Sequence, residues 1–239
     1  MTSIFPFTNP FIDLLQKAFF QEFHYEGKLD DLHSLLQTDK LQDEDKQSLC
    51  SMKTIGVNDR DSVFIKAFHK FADSNPIFID TYLDFLRTYI KPMFPTEERL
   101  VVQATPNIRI SLPNFTAIGA YENDKDEAIG LHSDSDFGHF EGEINFVIPI
   151  TNMFDSNSIY YEPFVNSNVD YRYYRSINLQ ENEFCMAYFN KLKHYNKRNS
   201  TGKTRISFDL RVIPYSKYIE NYTFFENTKF ELGKYFITL

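Results

Sequence analysis

Apolar residues recur at helical spacing along the first hundred positions, and beyond about residue 98 they shift to short alternating runs. Phe11, Leu14, Leu15, Ala18 and Phe19 predict a first helix, entered at Asn9-Pro10. Leu29, Leu32, Leu35 and Leu36 form a second apolar stripe, and the charged stretch 41–48 reads as a short helix or a loop. Between 62 and 90, one set (Val63, Ala67, Phe71) and a second (Phe78, Tyr82, Phe85, Leu86, Tyr89) predict two helices broken near Ser74-Asn75-Pro76. The prolines at 92 and 95 end this helical part, because proline has no N–H to continue the ladder.

The runs 100–103, 108–111, 115–121, 143–150, 158–162, 170–177, 184–190 and 203–214 predict strands bounded by Asn, Asp, Gly and Pro. Strands at this spacing without intervening helices point to a mainly β fold: a sandwich, jelly roll or barrel. The expected organisation is a helical region over 1–98 packed on a β core over 99–214, with an aromatic C-terminal extension over 215–239.

Composition narrows the function. With 25 Lys and Arg against 33 Asp and Glu, the net charge is −8, which disfavours a nucleic-acid partner. No stretch approaches the roughly 18 to 20 uncharged apolar residues of a membrane span, and the N-terminus lacks the basic start and apolar run of a secretory signal. A cytoplasmic protein is expected. Cys50 and Cys185 form neither a disulfide framework nor a CxxC knuckle. The 8 glycines build no phosphate-binding motif, whereas 25 Phe and 15 Tyr supply a large core.

Three of the six histidines start an HxD or HxE triplet, at His24, His132 and His139. About one such triplet arises by chance at this composition, so context must decide. His24-Tyr25-Glu26 lies in the helical part and reads as surface. His132 and Asp134 precede a predicted strand, and residues two apart on an extended chain point the same way. With His194, which follows the run 184–190, they compose two imidazoles and a carboxylate, the facial set of non-heme Fe(II) sites. His139 with Glu141 is a competing ligand pair. Within 204–212, Arg205, Ser207, Asp209 and Arg211 alternate with Ile206, Phe208, Leu210 and Val212. A guanidinium with a hydroxyl two residues on can clamp a carboxylate, although a polar solvent face would give the same alternation. Asn145 and Glu143 share a strand face with Val147; Asn145 is a candidate cosubstrate contact or a strand cap.

The blocks His132-Ser-Asp-Ser-Asp-Phe-Gly-His139, Gly142-Glu-Ile-Asn-Phe-Val-Ile-Pro-Ile-Thr151 and 194–212 resemble the Fe(II)/2-oxoglutarate-dependent oxygenase superfamily, most closely its StrG-like group. The likeness covers about residues 100 to 214 and departs from the group's pattern at Val147 and Tyr195. It implies a double-stranded β-helix with Fe(II) on His132, Asp134 and His194. It also implies 2-oxoglutarate held by Arg205, Ser207 and Asn145, O2 as oxidant, and a small polar substrate, sugar-like by analogy. A peptidyl hydroxylase or a non-catalytic cupin-like binding protein is the alternative, and a homo-oligomer is compatible with either.

Overall fold

The computed structural model of the protein describes residues 2–51, 62–114, 129–164, 173–219 and 231–239. The chain opens with a strand, β1 (Thr2–Pro6), where the sequence predicts only helix. Its pairing partner, Glu183–Ala187, lies at the other end of the chain, so no local signal reveals it. Helix α1 (Phe11–Phe23) buries Phe11, Leu14, Leu15, Ala18, Phe19 and Phe23 along the predicted stripe. The second stripe is a 3-10 helix, Leu29–Gln37, rather than an α-helix. Leu29, Leu32 and Leu35 stand three apart, and three residues per turn place them in one buried row. The stretch read as helix or loop is helix α2 (Asp43–Ser51).

Helices α3 (Val63–Ser74) and α4 (Pro76–Phe85) break where predicted. Asn75 caps α4 by accepting the Ile77 N–H, and Pro76 occupies the first turn, where no donor is needed. A π-helical turn, Leu86–Ile90, and a short 3-10 turn, Lys91–Met93, then lead into the strands.

These are β2 (Leu100–Gln103), β3 (Asn107–Ser111), β4 (Ile129–His132), β5 (Ile144–Pro149), β6 (Ile159–Tyr161), β7 (Arg175–Ile177), β8 (Glu183–Ala187), β9 (His194–Asn196), β10 (Arg205–Pro214) and β11 (Phe236–Thr238). Strands β4, β9 and β11 have no counterpart in the sequence pattern, being three or four residues long and too short to display alternation. The predicted strand 115–121 lies outside the described residues, as do 170–172 of the run 170–177.

The strands form two antiparallel sheets, one ordered β1-β8-β5-β10-β2-β11 with β3 also on β10, the other β4-β9-β6-β7. Pairing is nested. β3 meets β10, β4 meets β9, β5 meets β8, and β6 meets β7, as if one long hairpin had been rolled into two layers. The C-terminal residues return to the larger sheet, where β11 adds an outer strand to β2.

The helices cover the outer face of the larger sheet. Phe208 of β10 stands 5.4 Å from Phe11, 5.3 Å from Phe68 and 6.1 Å from Phe78, ring centre to ring centre. All four rings are essentially inaccessible to water, a contribution of roughly 1.5–3 kcal/mol each. The opposite face of β10 looks toward the smaller sheet, and the polar residues lie there.

Candidate metal centre

His132 is the last residue of β4 and His194 the first of β9; they are direct cross-strand neighbours, with ring centres 4.3 Å apart. Ser133 is extended, which keeps the side chains of 132 and 134 on one side as the sequence spacing requires. Asp134 then opens a 3-10 turn, Asp134–Phe137, closed by a capping box between Ser133 and Asp136 and ended by Gly138 at φ 78°. The Asp134 N–H donates to Phe189 O at 2.8 Å, fixing the turn to the segment before His194.

The three side chains converge. His132 Nε2 and His194 Nε2 each lie 3.7 Å from Asp134 Oδ1, and the three ligand atoms fall within 4.8 Å of one another. Adjacent ligands on an octahedral ion at roughly 2.1 Å stand about 3 Å apart, so a small contraction closes the set. Both imidazoles turn Nδ1 to a backbone carbonyl, His132 to Gly130 O and His194 to Leu192 O at 3.2 Å. A carbonyl only accepts, so each Nδ1 carries the proton and each Nε2 offers its lone pair inward. Phe189 stacks on His194 at 4.3 Å, and Phe137 meets His132 edge-on at 4.8 Å.

Asp134 uses its oxygens differently. Oδ1 faces the imidazoles, while Oδ2 accepts from Asn145 Nδ2 at 2.8 Å and from Arg211 Nη2 at 3.1 Å. Burial by itself would raise this carboxyl, but the Arg211 guanidinium holds it well below the usual carboxylate range. Burial pushes His194 down to about 4, against the opposing pull of Asp134.

The polar row of β10 is buried, which removes the reading of 205–211 as a solvent face: β5 flanks this strand on one side, β3 and β2 on the other. Arg205 Nη1 donates to Asn157 O at 2.8 Å and to Asn196 Oδ1 at 2.9 Å, while its Nε has no hydrogen-bond partner. Among the described residues no carboxylate stands within ion-pair distance of it. Burial, with Arg109 nearby, lowers Arg205 to about 10. Ser207 is buried on the same face, opposite Arg109 in register. Asn145 is placed against Asp134, and its Oδ1 is buried without a partner.

The competing ligand pair does not form. His139 Nδ1 contacts Glu143 Oε2 at 3.0 Å, and Glu141 points outward to Lys191 at 2.9 Å. His24 and Glu26 are exposed, as expected. Tyr174 packs 5.1 Å from Tyr195, which alternates away from His194 and so lies on the side of β9 opposite the ligands. The sequence pattern puts Arg211 and Glu143 on the polar faces of their strands without giving either a role at Asp134; their Nε and Oε2 lie 3.2 Å apart. Their signal was present in the alternation of the two strands, but only pairing of those strands brings them to Asp134.

No protein-family model matches the chain. Over 164 residues it is 24% identical to the streptomycin biosynthesis protein StrG of Streptomyces griseus, covering 67% of this chain and 72% of StrG. Among solved structures it is similar to EvdO2 of Micromonospora carbonacea var. aurantiaca complexed with 2-oxoglutarate, at 13% identity and a TM-score of 0.47, covering 89% of this chain and 86% of that one. HygX of Streptomyces hygroscopicus, with nickel and 2-oxoglutarate bound, matches at 10% identity and a TM-score of 0.34, over 62% and 70% of the two chains.

Proposed function

We propose that the protein is a non-heme Fe(II)- and 2-oxoglutarate-dependent oxygenase of the StrG-like group, acting in the cytoplasm on a small polar, sugar-like metabolite. The observation that carries this reading is the joint presence of a bare-lone-pair His–Asp–His set and a buried guanidinium, Arg205, without a counter-ion among the described residues. His132, Asp134 and His194 would hold the iron, and Arg205 with Ser207 would hold the far carboxylate of the cosubstrate.

Charge supports the arrangement. Arg211 lies within ion-pair distance of Asp134, Glu143 and Asp209, and Asp209 also pairs with Arg109. Asp134 and Glu143 outnumber Arg211 at the triad, which suits a divalent cation. At the other end Arg205 is buried with no carboxylate within ion-pair distance among the described residues, which suits an anion. Distance supports it too: Arg205 grips Asn196, two residues along β9 from His194, a separation of about 7 Å, comparable to the length of a short dicarboxylate. The nested strand pairing supports the two sheets being a double-stranded β-helix.

When bound, the iron and 2-oxoglutarate would supply oxidation of a substrate C–H bond at the expense of O2, with succinate and CO2 as coproducts. The chain's own part is orientation. The Gly130 and Leu192 carbonyls fix the imidazole tautomers, Asn145 and Arg211 fix one carboxylate oxygen, and Phe189 shields His194 from water. The sugar-like substrate rests on the likeness to StrG.

Anaerobic titration of the iron-loaded protein with 2-oxoglutarate tests the reading through a weak visible charge-transfer band. The band is expected in the wild type, absent in Asp134→Ala and weakened in Arg205→Ala. No band, together with no bound iron by metal analysis, overturns the proposal in favour of a non-catalytic binding protein.

A further inference from the structure

An aspartate offers two equivalent oxygens and turns freely about its last bond. A metal-binding aspartate must therefore be told which oxygen to present, since a carboxylate that chelates through both occupies a position needed by other ligands. Here two donors, Asn145 Nδ2 and Arg211 Nη2, meet on the same oxygen, Oδ2. Arg211 is itself held at several points. Its Nε lies 3.2 Å from Glu143 Oε2, its Nη2 3.8 Å from Asp209 Oδ2, and its Nη1 donates to Tyr235 Oη at 3.4 Å. Glu143 in turn accepts the Phe140 N–H at 3.2 Å and contacts His139. The planar guanidinium thus ties the turn after β4 to β5, to its own strand and to the C-terminal segment.

We propose that Arg211 is a positioning residue for the metal, its fork immobilising Asp134 by Oδ2 so that Oδ1 alone is presented to the ion. This rests on the triad being a metal site. The competing role, a mere neutraliser of the neighbouring carboxylates, would be served equally by a lysine, which has the charge but no planar fork. Tyr235 lies just before β11, so the C-terminal segment helps to seat a group of the metal site.

Anaerobic titration of the metal-free protein with Co(II), followed by its visible ligand-field bands, separates the two roles, because band intensity reports coordination number and affinity is read from the same curve. Folding is monitored by circular dichroism and the urea midpoint. Arg211→Lys is expected to fold, to bind Co(II) at least about tenfold more weakly and to show altered bands. A lysine variant that matches the wild type in affinity and spectrum overturns the proposal. If Arg211→Lys does not fold, Glu143→Gln carries the test: it loosens the guanidinium while keeping an acceptor, and should weaken Co(II) binding several-fold. Unchanged binding in that variant overturns the proposal as well. A wild type that takes up no cobalt brings down the metal reading of the triad, and this inference with it, whereas normal wild-type binding with an indifferent Arg211 defeats the inference alone.

Discussion

Strand β10 carries two regions that obey opposite rules. Its outer face, Ile206, Phe208, Leu210 and Val212, packs against the helices in a water-free aromatic cluster. Its inner face, Arg205, Ser207, Asp209 and Arg211, buries charge and leaves polar atoms such as Arg205 Nε and Asp209 Oδ1 without partners. The outer face lowers the free energy of the fold, since apolar area leaves water at little polar cost. The inner face opposes it, since each unsatisfied buried polar atom carries an uncompensated desolvation penalty. The penalty falls at Arg205, Asp209 and Arg211, and the well-packed outer face offsets it.

The comparison breaks most sharply on a pair of substitutions. Phe208→Ala removes a ring shared by three helices and should cost about 3–5 kcal/mol in urea unfolding, with metal affinity of the folded fraction unchanged. At neutral pH His194→Ala should do the reverse, abolishing metal uptake while costing less stability than Phe208→Ala. If the two variants lose stability equally, the division between the faces is wrong.

Acid sharpens the same contrast. His194 titrates near 4 in the metal-free folded protein and near 6.5 when unfolded. Between those values the unfolded chain takes up a proton that the folded site refuses. Stability should therefore fall as pH drops from about 6.5 to about 4, by about 3 kcal/mol in total. Urea midpoints across this window should decline in the wild type and stay markedly flatter in His194→Ala.

The smallest effect belongs to the outer side of the smaller sheet. Tyr160 stacks on Tyr195 at 5.2 Å beneath Lys197, away from the ligands. Tyr160→Ala should cost about 1 kcal/mol and leave the Co(II) spectrum untouched. A spectral change there would show that the two sides of β9 are coupled.

Much of the site could be read locally. His132 and Asp134 are two residues apart, so their convergence depends only on Ser133 being extended, and the alternation over 205–212 separates the two faces of β10 without reference to any partner strand. The row Leu29, Leu32 and Leu35 also held its answer, since a strict period of three is that of a 3-10 helix. What could not be read locally depended on distant pairing. β1 gave no local signal, because its partner β8 lies far along the chain. The choice between His132/Asp134 and His139/Glu141 turned on Glu141 finding Lys191 outside and His139 finding Glu143 inside.

The amino-acid sequence by itself determined helices α1, α3 and α4, most of the long strands, the candidate ligand set and the two-faced character of β10, because all of these follow from periodicities of two to four residues. Only the tertiary structure decided which oxygen of Asp134 faces the histidines, that Arg205 is left without a counter-ion among the described residues, and that Arg211 joins Asp134 to the C-terminal segment. These depend on strands far apart in the chain being brought into register, and the desolvation that gives a buried charge its energy exists only once the two sheets have closed over it.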